Sequence, residues 1–491
     1  MEAYAESEKA RIMDHCVDIA ETKESTNSTV ENQNSDKKWV AALITQFEED
    51  CNSSTLLNPS PNAGPTQQPS IFKLSKEGVD EELYKDRIVS LGPYKHNIDY
   101  ERSFYAKKKK KRDVVILGAK AFRLDYSKFF NWISEKINEV RAYYEEGSFK
   151  LGDKEFADML LIDGYFIMTV LMSLSQGPYP KLWKEKIDKE EEAIQNVCNS
   201  FIITSNQEAR ELMGDLLMLE NQIPFFVVDY FWVNCFEFMY IEGNSLKDIA
   251  LSCFDDFYPR GSKSRDTSQF SDCLHLLDLF HWSRMPIDRF QKKTNYTEPN
   301  LYISTATELQ ASSVIFEKKK SDCSLDISFS QRYFRTRGVI SIPEIHLYGY
   351  NRRIIQNLVS FEQAYRLRGF GFTTYVECMT QLVQTEKDVS ILRSSGIIAS
   401  TPVTDREVID FYRTIRAGVG VEEMSPDLYE LYMQVKNHIE EKRLRCPNIW
   451  VSISVCSVFI LVLTFLQSFY SMLAYHTQRH QYNRMPHQCW L

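Results

Sequence analysis

At 491 residues, 43% hydrophobic and 13% aromatic, the chain can build a sizeable core, as roughly two to four ordinary domains or as one large helical domain with appendages. A net charge of −9 lacks the basic footprint of a nucleic-acid binder, and the surplus is local, because residues 1–70 hold twelve Asp/Glu against five Lys/Arg. The eleven cysteines are scattered, odd in number and free of any C-x-x-C pair, which suggests neither a zinc site nor a disulfide framework and fits a reduced, cytosolic body.

In chain order, MEAYAESEKARIMDH has no apolar core, so no secretory signal is expected. Residues 1–36 are polar and read as disordered apart from a short helix near Arg11–Ile19. Lys37–Glu49 is an amphipathic helix with Trp39, Leu43 and Phe47 on one stripe, and Cys51–Ser70 is a linker. The folded body (71–445) opens with the short extended segment Ile71–Leu74. Arg87–Tyr94 reads as strand-like, ending in a turn at Gly92 and Pro93, with Tyr94 and His96 beyond it; His96 reads as a packed or exposed residue rather than a ligand. The basic run Lys107–Arg112 reads as a solvated helix face, with a nuclear address or a phospholipid-facing patch as alternatives.

From Asp125 helical periodicity dominates: Tyr126–Ile137, then the more apolar Phe156–Ser173 with Asp163 and Gly164 in its middle. After the loop Ser175–Trp183 comes the most informative stretch, Gly214–Tyr230, where Glu220, Asn221 and Gln222 stand between two apolar runs and Pro224 follows. Proline removes the N–H that would bond to the Glu220 carbonyl, so the sequence predicts a buried helix Glu208–Leu219, a break at Glu220–Gln222 and a restart after Pro224. Polar groups buried at such a break must be hydrogen-bonded, which makes this a hub between helices. The alternative is a chemical site, with Asp163, Asp215 and Glu220 as paired carboxylates.

Cys273–His281 reads as a helix face, Ser283–Pro299 as a polar region, and Leu325–Pro343 as short strands around a basic turn. Helices return at Ile354–Tyr365, Phe372–Val383, Asp405–Ile415 and Pro426–Arg443. Ile449–Tyr475 then runs 27 positions without a charge, reaching about 40 Å as a helix against a hydrocarbon core of about 30 Å. Trp450 at one end and Tyr470 and Tyr475 at the other suit membrane interfaces. Lys436, Lys442, Arg443 and Arg445 before the span outweigh Arg479 and Arg484 after it, so the body is expected in the cytoplasm, as in a tail-anchored protein. The reverse orientation would make Asn27, Asn52 and Asn295 glycosylation candidates.

No P-loop, nucleophile elbow, H-E-x-x-H helix or spaced Cys/His set occurs, and Gly369/Gly371 and Gly418/Gly420 lack a third glycine. No catalytic residue, cofactor or metal is therefore expected, including at the histidines 476, 480 and 487. The expected fold is mainly α with a few short strands, one C-terminal transmembrane helix and a short tail, 476–491.

Taken in order, several blocks resemble the plant-specific domain-of-unknown-function family 247 over roughly 71–470. They are Ile71–Leu74, Val89–His96, Met159–Ile167, Asp215–Phe225 (the most specific), Ala306–Leu309, Leu325–Phe329, Asn357–Gln363 with Asn357, Glu362 and Gln363, Lys387–Val389 and the terminal span. Two departures concern local turns: the family's glycine after Glu-Leu is absent in Gln310–Val314, and its Tyr-x-Pro reads Tyr84-Lys85-Asp86. The resemblance implies a helical, membrane-tethered plant protein with no established enzymatic activity. Some members are candidate self-incompatibility determinants of grasses, which implies recognition of protein partners at a membrane, in first place the plasma membrane. The rival readings are an unrecognised hydrolase built on Asp163, Asp215 and Glu220, which needs them to line a solvent-connected cleft, and a purely structural tether.

Overall fold

The computed structural model describes residues 68–74, 87–95, 115, 126–175, 181, 185, 205–235, 245–255, 266–285, 302–321, 323, 325–332, 337–399, 403–418 and 426–482. The expected helices near 11–19 and 37–49, His96, the basic run 107–112, most of the loop 175–183, the polar region after Met285 and the last residues of the tail lie outside them.

The protein is mainly helical with one small sheet. Helix α1 (Tyr126–Glu135) turns Phe129, Phe130 and Ile133 inward, and the short α2 (Ile137–Arg141) follows it. Helix α3 (Asp153–Leu174) is buried nearly all round. It is long and apolar enough to span a bilayer, but 83% of its apolar window lies inside the body, so it is a core helix. Helix α5 (Phe225–Cys235) crosses it where Gly164 leaves no side chain: a Cβ there would stand 2.8 Å from the Phe231 ring. Phe231 stacks on Phe129, and Trp132 stacks on Tyr230, closing α1 over α5.

Helix α4 (Asn206–Leu216) begins at Ser205, whose hydroxyl accepts from the Glu208 N–H. It stops before the expected end at Leu219, and a 3₁₀ turn, Leu219–Asn221, precedes α5. The cause lies in the polar trio. The Asn221 amide donates to the Asp215 carbonyl, and the Gln222 amide donates to those of Leu216 and Met218, so side chains take up carbonyls at the helix end. Helices α6 (Leu246–Asp255) and α7 (Leu276–Arg284) pack beyond; α7 starts three residues later than read, since His275 is its N-cap.

Helix α8 (Ala306–Ala311) opens with a Thr305/Glu308 capping box and leads into β1 (Val314–Lys319), a strand missing from the sequence reading. With β2 (Ser328–Arg332) and β3 (Arg337–Pro343) it forms a sheet in the order β1-β3-β2, parallel between β1 and β3 and antiparallel between β2 and β3. Ser313, just before β1, has φ +64°, the one non-glycine residue with positive φ among the described residues. It falls in the segment where the resemblance leads one to expect a glycine.

Helices α9 (Gly349–Ala364), α10 (Gly371–Leu382), α11 (Glu386–Ser394) and α12 (Asp405–Ala417) complete the second half. Helix α11, of which the sequence marks only the block Lys387–Val389, is fixed by a Thr385/Asp388 capping box. The last helix, α13 (Pro426–Tyr482), runs unbroken through the junction where body and span were expected to meet. Leu428, Leu431, Tyr432, Val435 and His438 seat its first turns in the core, and Lys442 donates to the Ser312 carbonyl.

Arg87–Tyr94 corrects the sequence reading most clearly. It forms no strand; its last residues enter a 3₁₀ turn, Pro93–Lys95. An extended run needs partners for its N–H groups, and here they are side chains of the hub.

Candidate functional site

The hub is built on Asp215, fully buried near the end of α4. Its carboxylate accepts the successive N–H groups of Arg87, Ile88 (2.6 Å) and Val89 (2.9 Å), and pairs with the buried guanidinium of Arg353 from α9. Burial pushes the Asp215 pKa up, while Arg353 and the Val89 and Ile88 amides oppose that shift. Arg353 also bonds Glu211 at 2.8 Å, so one cation holds two carboxylates one helical turn apart.

The strap continues onto its neighbours. The Leu91 N–H donates to Asn221 Oδ1 (2.5 Å), whose amide returns a bond to the Val89 carbonyl (3.1 Å). The Gly92 N–H donates to Asp163 Oδ2 (2.7 Å). Gly92 has φ +71°, and a Cβ on it would meet the Gln222 carbonyl at 2.8 Å, so glycine is required on two counts. Pro93 is buried in the following turn, and the Tyr94 hydroxyl donates to the Ile71 carbonyl (3.0 Å). Glu220 accepts from the Leu74 N–H (2.8 Å) and pairs with Lys95 (3.1 Å). Gln222 Oε1 accepts from the Leu277 N–H (3.1 Å), and Asn357 Oδ1 accepts from the Leu219 N–H (2.9 Å). Pro224 heads α5, where the Phe225 N–H donates to the Leu274 carbonyl (2.8 Å).

Gly92, Pro93, Tyr94, Asp163, Asp215, Glu220, Asn221, Gln222 and Asn357 therefore meet in one network, while Gly164 serves the adjoining packing. Glu362 and Gln363 lie further along α9 in a second cluster. Buried Glu362 accepts the N–H groups of Phe372 (2.9 Å) and Thr373 (2.7 Å) at the start of α10, and that of His281 Nε2 at 2.7 Å; Gln363 reaches the Thr373 hydroxyl at 3.4 Å. Sequence reasoning missed Arg353, His275, Asp278 and His281. The signal was present as charged or imidazole side chains on the inward stripe of apolar helices, in NRRII and CLHLLDLFH.

His275 illustrates the second cluster's electrostatics. Its Nδ1 accepts from the Asp278 N–H and its Nε2–H donates to the Ser70 carbonyl, which fixes the tautomer. Burial, chiefly, lowers its pKa to about 3, so it is neutral when folded. The unfolded chain then binds one proton more between pH about 6.5 and about 3, and stability falls as pH drops through that window. We expect a loss of about 2–3 kcal/mol from this group between pH 7 and 4.5, read as urea midpoints, and a slope flatter by one proton in His275→Asn.

Chemically the arrangement is a fastener. Asp163, Asp215 and Glu220 are 2%, 0% and 8% exposed and bind main-chain N–H groups, so they line no solvent-connected cleft. That is the condition on which the hydrolase reading depended. Burial pushes the Cys378 thiol up to about 12 and raises that of Cys273, leaving neither a ready nucleophile.

In comparisons with known proteins, the family of plant proteins of unknown function termed DUF247 matches residues 71–473. UPF0481 protein At3g47200 of Arabidopsis thaliana is 23% identical over 439 residues, covering 82% of this chain and 86% of its own. No solved structure matches. The match begins at Ile71, whose carbonyl takes the Tyr94 hydroxyl, and takes in the whole hub: the chain belongs to the DUF247 family of plant proteins.

Proposed function

We propose that this protein is a single-pass, membrane-tethered interaction module whose body faces the cytoplasm, in first place at the plasma membrane. The observation that carries the reading is the far half of α13. Ser454–Arg479 is long and apolar enough to cross a bilayer, about 39 Å of helix, and none of its apolar window is buried against the body. Phe465 is 72% exposed and Leu461 69%, a display of large apolar groups that water disfavours and lipid accepts. Tyr470 and Tyr475 are exposed toward the far end of this stretch; the Trp450 side chain lies outside the described residues.

The cytoplasmic orientation is supported by Lys436, Lys442, Arg443 and Arg445 on the body side. The recognition role, of the kind that self-incompatibility requires, is supported by the family resemblance and by a hub whose carboxylates hold the fold together. Its proposed partner-facing segments are the acidic region 1–70 and the polar region 283–299, apart from their buried edges at Ser70, Ser283 and Arg284.

Protease protection on sealed microsomes tests the topology. An N-terminal tag should be digested and a C-terminal tag protected; the opposite pattern would put the body, and its partners, outside the cytoplasm. For partners, a pull-down from plant membranes should yield a protein lost when residues 1–67 or 286–299 are deleted, which spares buried Ser70, Ser283 and Arg284, and unchanged capture would refute that choice of surface.

A further inference from the structure

Away from the polar end His476–Arg479, one side chain in Ser454–Arg479 stands out against hydrocarbon. Gln467 stands at the midpoint of that stretch and is exposed, and no part of the body covers it. The neighbouring hydroxyls are quenched by their own helix: Thr464, Ser468 and Ser471 donate to the carbonyls one turn back at 2.8, 3.0 and 2.8 Å. The Gln467 carboxamide, with two donors and an acceptor, makes no hydrogen bond among the described residues. In lipid such a group is costly until another polar group meets it at the same depth.

The residues around it show what that group belongs to. Ser457, Ile460, Thr464, Gln467, Ser471 and Ala474 recur every three or four positions, the 3.5-residue period of a left-handed helix pair. All but Ile460 and Gln467 are small, which lets two backbones approach closely, and Phe459, Phe465 and Phe469 all fall outside the seam. Copies inserted the same way are parallel and carry Gln467 at one depth. A carboxamide is its own complement, donor to acceptor, across a twofold axis. Another protein's helix would need a matching group at that level, whereas a second copy has one by identity.

We infer that the seam is covered by a second copy of this chain, in a parallel homodimer joined within the membrane by reciprocal Gln467 hydrogen bonds. The inference rests on the membrane reading above. It is tested on the full chain in microsomes, with Cys446, Cys456 and Cys489 in and beside the span replaced by serine, by oxidative cross-linking of single cysteines added within it. Thr464→Cys and Ser471→Cys should give a dimer-sized band roughly fivefold stronger than Phe465→Cys and Phe469→Cys, and energy transfer between differently labelled copies should fall roughly fivefold in Gln467→Leu but survive in Gln467→Asn. Gln467→Leu makes the span more apolar, so its retention in the membrane pellet separates loss of pairing from loss of the tether. Equal cross-linking on and off the seam, a cross-link to a protein of different mass, or unchanged energy transfer in Gln467→Leu would overturn the dimer while leaving the tether standing. A chain that washes off membranes would overturn both.

Discussion

Asp215→Ala should lower the unfolding free energy of the body by about 3–5 kcal/mol, the usual effect of removing one partner from a buried ion pair. The change removes one of the two carboxylates that pair with the buried Arg353 guanidinium, and takes from the N–H groups of Arg87, Ile88 and Val89 the carboxylate that accepts them. Asp215→Asn keeps the shape but turns an NH₂ toward a ring of donors, so it should recover only part of the loss. Domains of ordinary stability hold about 5–15 kcal/mol in reserve, so the alanine variant should accumulate poorly in cells. Urea midpoints by pulse proteolysis on detergent-solubilised chain provide the measurement; a loss under about 1 kcal/mol would mean that the 87–89 strap is held by something other than this carboxylate.

Gly92→Ala should cost about 2–5 kcal/mol, combining a left-handed backbone penalty of about 1–2 with about 1–3 for forcing a methyl against the Gln222 carbonyl. Gly147 supplies the control. It has the same φ of +71° but nothing within 4 Å of a Cβ, so Gly147→Ala should show the backbone penalty alone, about 1–2 kcal/mol. Equal losses at the two positions would show that the close approach of strap and hub is not felt in solution.

Much of this was legible in the residues. Pro224 and the trio before it announced a helix break between apolar runs, and the trio's polarity announced that the break would be satisfied by hydrogen bonds. The exact end of α4 was not legible, because Asn221 and Gln222 turn back to take its carbonyls, an interaction that propensity does not register. Arg87–Tyr94 has the residues of a strand, yet its N–H groups are claimed by Asp215, Asn221 and Asp163, up to 130 residues away in sequence. Strand β1 is hidden for a related reason: Val314–Lys319 ends in two lysines with a third just beyond, and its parallel partner β3 makes it a strand. The roles of Arg353 and His281 depend on which helices meet, which periodicity on a single helix does not specify. The apolar run at the C-terminal end needed no partner to be read, because length and the absence of charge suffice.

The tether is most directly tested by alkaline carbonate extraction of plant-cell membranes carrying the full chain beside one ending at Cys446. A tethered body keeps the full chain in the pellet and releases the shortened one to the supernatant. Full-length protein recovered in the supernatant would contradict the membrane reading, and the exposed apolar face of α13 would then have to be covered by protein instead.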